Sequence, residues 1–145
     1  MPFIADLQKY KSLSIVGMDK NTGKTVCLNY VLGRLREQGI STAVTSIGID
    51  GERIDQVFGS HKPEITLYEG MQFITSEKHY NIRQLLSKVT NVDSESTSLG
   101  RLITAEVLCS GKVLLSGAGT TEKLRRQIEL FKATGLDITI IDGAL

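Results

Sequence analysis

No charge of either sign dominates this sequence. Lysine and arginine total 17 and aspartate and glutamate 16, a formal net charge of +1 over 145 residues. A nucleic-acid footprint needs a basic excess, which argues against that class of partner. No apolar run approaches the roughly 18 residues of a membrane span. The N-terminal stretch "MPFIADLQKYKS" carries Asp6 and lacks a long apolar core, so it is no secretory signal. Only two cysteines occur, Cys27 and Cys109, and their separation matches no metal-ligand spacing. They read as small buried apolar residues in a reducing cytoplasm. There is no Cys/His cluster for a structural zinc, no G-x-S-x-G nucleophile elbow, no internal repeat and no low-complexity segment.

What is present is an ordinary globular composition, 41% hydrophobic and 23% charged, in a length that suggests one domain spanning 1–145. "SLSIVG" (12–17) reads as a buried strand ending in glycine. "TGKTVCLNYVLGRLREQG" (22–39) follows as a helix, with Cys27, Val31 and Leu35 on a stripe widened by Leu28 and Leu32, and Gly39 as its C-terminal cap. "STAVTSIGI" (41–49) is a second strand, so the unit predicts a right-handed parallel crossover. Residues 50–63 read mostly as loop, and a third strand is expected at Gln72–Thr75. "HYNIRQLLSKV" (79–89) reads as a short helix through Ile82, Leu85, Leu86 and Val89, and 90–97 as a turn region. Residues 99–108 fit strand or helix. "KVLLSG" (112–117) is a strand, Thr120 or Thr121 caps a helix carrying Leu124, Ile128 and Phe131 and stopped at Gly135, and "LDITIIDG" (136–143) is a last strand. Strands alternating with helices predict an α/β three-layer domain with a mainly parallel sheet, of the phosphate-loop nucleotide-binding kind.

The stretch "GMDKNTGKT", Gly17 to Thr25, lies between the first strand and the first helix. The usual phosphate loop reads G-x-x-x-x-G-K-S/T. Here the first glycine is Gly17, one residue further back, giving five residues between the glycines. The chemistry requires inward-turned main-chain amides with a helix N-terminus behind them. It also requires a lysine for the terminal phosphates and a hydroxyl for Mg²⁺. Gly23, Lys24 and Thr25 supply the end of that machinery, and Asn21 and Thr22 are small enough to keep the loop tight. The plainer reading is a strand-to-helix turn with Lys24 in solvent. A lysine in the first helical turn opposes the positive end of the dipole, which favours the anion-bound reading.

Two aspartates end strands on the edge where such a site forms. Asp50 closes the second strand and Asp142 the last, each followed by glycine. Each is a candidate for Mg²⁺-associated and catalytic work alongside Lys24, and each also fits a turn opened by Asp-Gly. Glu69, Glu77 and His79 are further candidates, His79 being the ordinary hydrogen-bonded histidine on the plainer reading. "SGAGTTEK" (116–123) fails the dinucleotide pattern at Glu122 and reads as a tight turn with a threonine cap. Arg125 and Arg126, beside Lys123, read as a solvated helix face. No N-K-x-D run specifies guanine.

The segments "KYKSLSIVGMDKNTGKTVCLNYVL", "TAVTSIGIDGERIDQV", "KPEITLYEGMQFITSEKHY", "TSLGRLITAEVL" and "TIIDGAL" together resemble the small subunit of the lysine 5,6-aminomutase reactivase along nearly the whole chain. The spacing G-x-x-x-x-x-G-K-T also resembles that of dethiobiotin synthetase, an ATP-dependent ligase. The first resemblance implies a cytoplasmic subunit that couples ATP binding and hydrolysis, with Mg²⁺, to release of inactive cobalamin from an adenosylcobalamin-dependent aminomutase. It also implies a second reactivase subunit similar to a mismatch-repair ATPase. Gly23, Lys24 and Thr25 would hold phosphate and Mg²⁺, with Asp50 and Asp142 in matching motifs. Chains of that family continue beyond "IDGAL", which implies that the 145 residues are an N-terminal piece of a longer protein. The alternatives are a small-molecule ATP-dependent ligase or kinase of the dethiobiotin synthetase type, and a non-catalytic phosphate-binding domain.

Overall fold

The computed structural model describes residues 10–16, 23–47 and 64–143, without the side chains of Val16 and Lys24. The expectations for Gly17, Asn21, Thr22, Asp50 and the 50–63 loop lie outside the described residues. Among those described, seven strands form one sheet: β1 (Ser12–Val16), β2 (Thr42–Ser46), β3 (Ile65–Leu67), β4 (Gln72–Ser76), β5 (Gln84–Thr97), β6 (Gly100–Val113) and β7 (Ile138–Gly143). Three helices accompany them: α1 (Lys24–Glu37), α2 (Glu77–Asn81) and α3 (Thr121–Ala133).

The order is β1-β7-β2-β4-β6-β3, with β5 on the remaining edge of β6. β1, β7, β2 and β4 run parallel, as the strand–helix–strand reading required. β6 is antiparallel to β3, β4 and β5. The sheet is therefore mixed, not mainly parallel. The cause is the stretch 84–97, expected as helix and turn. The helix stops at Asn81, and fourteen residues then pair with β6. Ile82, Leu86 and Val89 do not form a buried stripe; all three are exposed and only Leu85 is buried. Ile82 N instead donates to His79 O at the end of α2, Leu86 and Val89 join the hairpin ladder, and β-branched Val89, Thr90, Val92 and Thr97 suit it. Its tight turn lies at Ser98–Leu99, not across 90–97, and Gly100 supplies the positive φ of 96° that the turn needs.

α1 covers one face of the sheet. Leu28, Val31, Leu32 and Leu35 pack with Val44, Phe73, Ile138 and Ile140, each such aliphatic contributing about 1.5–3 kcal/mol by burial. Cys27 is exposed, as is Cys109, so neither is the buried apolar residue expected. The helix ends in a Schellman arrangement: Gly39 N donates to Arg36 O and Ile40 N to Leu35 O, with Gly39 at φ 68°. α3 covers the opposite face. Leu124 and Phe131 are buried and Ile128 is half-buried. Thr120 Oγ1 accepts from Lys123 N at its start, and Gly135 has φ 85° at its end.

Candidate functional site

β1 ends at Val16 and α1 begins at Lys24, so the carboxyl end of β1 and the amino end of α1 lie on either side of the segment 17–22 in sequence. Gly23 is the N-cap of α1, left-handed at φ 84°, ψ 11°. That conformation costs an L-residue about 1–2 kcal/mol, which explains a glycine before Lys24. Gly23 O accepts from Cys27 N to start the helix. No side chain caps α1 and its first turn holds no acidic residue. Side chains do cap the other two helices, Ser76 for α2 and Thr120 for α3. Among the described residues the first amides of α1 thus meet no carboxylate or hydroxyl cap, and Thr25 is half-buried in that turn.

Asp142 lies on β7, the parallel neighbour of β1, paired with Ile15 and therefore two positions short of Gly17 in register. Strand residues alternate faces. Ile138 and Ile140 point into the α1 core, so Asp142 lies on the α1 face, at the end where α1 begins. It is buried, at 5% exposure, and its carbonyl accepts from Ser46 Oγ and Ile47 N. Asp142 thus lies at the carboxyl end of the sheet, the end at which α1 begins with Gly23, Lys24 and Thr25. Among the described residues no group of three Asp, Glu, His or Cys side chains forms a metal cage. Mg²⁺ held by one hydroxyl, one carboxylate and phosphate oxygens needs none.

Toward this end the sheet opens. β2 and β4 bond only at Ala43–Gln72 and Val44–Phe73, although both strands run on. Residues 114–117, expected as part of the strand 112–117, instead leave β6 at Val113 and, with Ala118, enter the gap. Thr75 Oγ1 donates to Leu114 O at 2.7 Å and accepts from Ser116 N at 3.2 Å. Ala118 bridges Ile47 in parallel. Gly117 lies so close to β2 that a Cβ there would stand 1.7 Å from Ser46 O. This is the reason for glycine in "SGAG", which the sequence displayed only as a turn.

Ser116 is the hub of a buried polar knot that the sequence reading missed. Its hydroxyl donates to Ser76 Oγ at 2.7 Å and accepts from Ser76 N at 3.0 Å. His79 Nδ1 stands 3.0 Å from the same oxygen. His79 is buried, at 3%, as part of this knot. The other candidates stand apart from it. Glu69 is exposed. Glu77 Oε1 accepts from Arg101 N and Nε, each at 2.8 Å, and these bonds hold its carboxyl below the ordinary range. Arg125 and Arg126 are exposed, while Lys123 pairs with Asp93 at 2.7 Å and Glu95 at 3.1 Å.

Among the described residues no helix is long and apolar enough to cross a membrane. Comparison with protein-family models, curated proteins and solved structures finds no match to this chain.

Proposed function

We propose that the chain binds ATP through its phosphates where β1 meets α1, and acts as the ATP-binding, hydrolysing subunit of a reactivase for an adenosylcobalamin-dependent amino-acid aminomutase. The observation that carries the nucleotide reading is the left-handed Gly23 at a helix start with no side-chain cap among the described residues, followed by Lys24 and Thr25, with Asp142 at the matching end of the neighbouring strand. An uncapped N-terminus presents amide donors and the positive end of the helix dipole, both of which favour a phosphate. The ammonium of Lys24 neutralises the terminal phosphates. Thr25 and Asp142 would hold Mg²⁺ together with Asp50, and Gly17, Asn21 and Thr22 would contact the phosphates. Mg²⁺, when bound, draws charge from the phosphate oxygens as the terminal bond breaks.

The choice of a reactivase, with the aminomutase and a mismatch-repair-like ATPase as partners, rests on the resemblance of five sequence segments. Titration calorimetry with Mg·ATP tests the site. Binding by the parent protein and its loss in Lys24→Ala support the assignment; equal heats for both remove it. ATP-dependent recovery of an inactivated aminomutase, with both partners present, tests the role. An ATP-dependent small-molecule product formed by the purified chain alone would favour the ligase reading, which the loop spacing motivates.

A further inference from the structure

Two apolar clusters lie between α3 and the sheet. One joins Phe131 to Ala43, Ile74 and Leu102. The other joins Leu124 to Ala118 and Ile141, with Ile47 and Ile128 packed against it. Alternate residues of a strand share a face, so Ala43, Thr45 and Ile47 all point toward α3. On the helix the inward stripe runs through Leu124, Gln127, Ile128 and Phe131. Ala43 belongs with Phe131, and Ile47 with Leu124 and Ile128. Thr45 and Gln127 therefore occupy the stretch between the clusters, one from each layer.

Both are polar and both are buried, Thr45 at 0% and Gln127 at 9% exposure. Among the described residues Thr45 Oγ1 and Gln127 Oε1 each find no hydrogen-bond partner. A hydroxyl and an amide oxygen in this state forfeit their hydration with nothing in return. Protein interiors answer such atoms with ordered water, which needs two to four polar partners. We propose that Thr45 and Gln127 bind one internal water between β2 and α3, forming a polar bridge between the two apolar clusters. Gln127 Oε1 only accepts, so the water donates to it, while the Thr45 hydroxyl takes whichever role the water's remaining valences leave. The bridge ties β2 to the helix that follows the 114–118 wedge.

A crystal structure resolving ordered solvent tests this on the unaltered protein. The expected result is one solvent peak within about 2.7–3.2 Å of both Thr45 Oγ1 and Gln127 Oε1. Thermal unfolding of Thr45→Val, Gln127→Met and the double variant gives an independent reading. Each single change should lower the midpoint by a few degrees, and the double variant should lose less than their sum. The proposal is overturned by a dry contact, with or without a direct Thr45–Gln127 bond. A Thr45→Val midpoint at or above the parent's also overturns it.

Discussion

Ser116 Oγ lies 3.0 Å from His79 Nδ1, across 37 positions of sequence, and the same oxygen bonds both the amide and the hydroxyl of Ser76. One hydroxyl thus fastens the 114–118 wedge to the end of β4 and to α2. Replacing Ser116 by alanine leaves the Ser76 amide without its acceptor and removes the oxygen that faces the imidazole. A buried group stranded in this way costs about 1–3 kcal/mol. Ser116→Ala should therefore lose about 2 kcal/mol in denaturant unfolding. Loss of only a few tenths would mean that the knot is dispensable.

Gly117 and Gly119 make a matched pair two residues apart. A methyl group at 117 would meet the Ser46 carbonyl, whereas at 119 it would meet nothing within 4 Å. Gly117→Ala should cost about 3 kcal/mol by overpacking against backbone. Gly119→Ala should stay within about 0.5 kcal/mol of the parent. Comparable midpoints for the two would disprove the close approach of the wedge to β2.

At Gly23 the added methyl meets nothing within 4 Å among the described residues, which leaves a conformational penalty. Gly23→Ala should destabilise by about 1 kcal/mol through its φ of 84° and weaken Mg·ATP binding. Gly23→Asn should lose less, because asparagine tolerates the left-handed region. Unchanged ATP affinity in Gly23→Ala would separate the cap from the site.

The Lys123–Asp93 pair ties α3 to the hairpin, with side chains 17% and 26% exposed. The hydrogen bond from Lys123 lowers the Asp93 pKa, and the same bond raises that of Lys123. For Asp93, the stabilisation is present above the unfolded carboxylate value of about 3.9 and lost as pH falls through the lower folded value. For Lys123, it is present below about 10.4 and lost as pH rises through the higher folded value. Lys123→Met should cost about 0.5–1 kcal/mol at neutral pH and flatten the stability profile on the acid side. An acid limb parallel to the parent's would contradict this.

Local signals carried the parallel part of the fold. The Gly39 and Gly135 stops, the Thr120 cap and the apolar runs of β1, β2 and β7 each depend on residues close in sequence. The β5–β6 hairpin was hidden because Ile82, Leu85, Leu86 and Val89 imitate helical spacing, while the partner that makes 84–97 a strand lies in 100–112. For the candidate site, the positions of Gly23, Lys24 and Thr25 at the start of a helix and of Asp142 at the end of a strand were legible, since a glycine-rich turn and an aspartate after an apolar run are local patterns. The knot of Thr75, Ser76, His79 and Ser116 was not. Its members lie up to 41 positions apart and are three ordinary hydroxyls and an imidazole whose role arises only when the wedge enters between β2 and β4.

The central claim, a phosphate grip at the start of α1 beside Asp142, is most directly tested by amide chemical shifts during titration with Mg·ATP. Hydrogen bonding to phosphate should move the Gly23, Lys24 and Thr25 amides most, with Asp142 and Gly143 following. Lys24→Ala should suppress the whole pattern. Saturable shifts confined to another surface, or none at these five amides, would contradict the account.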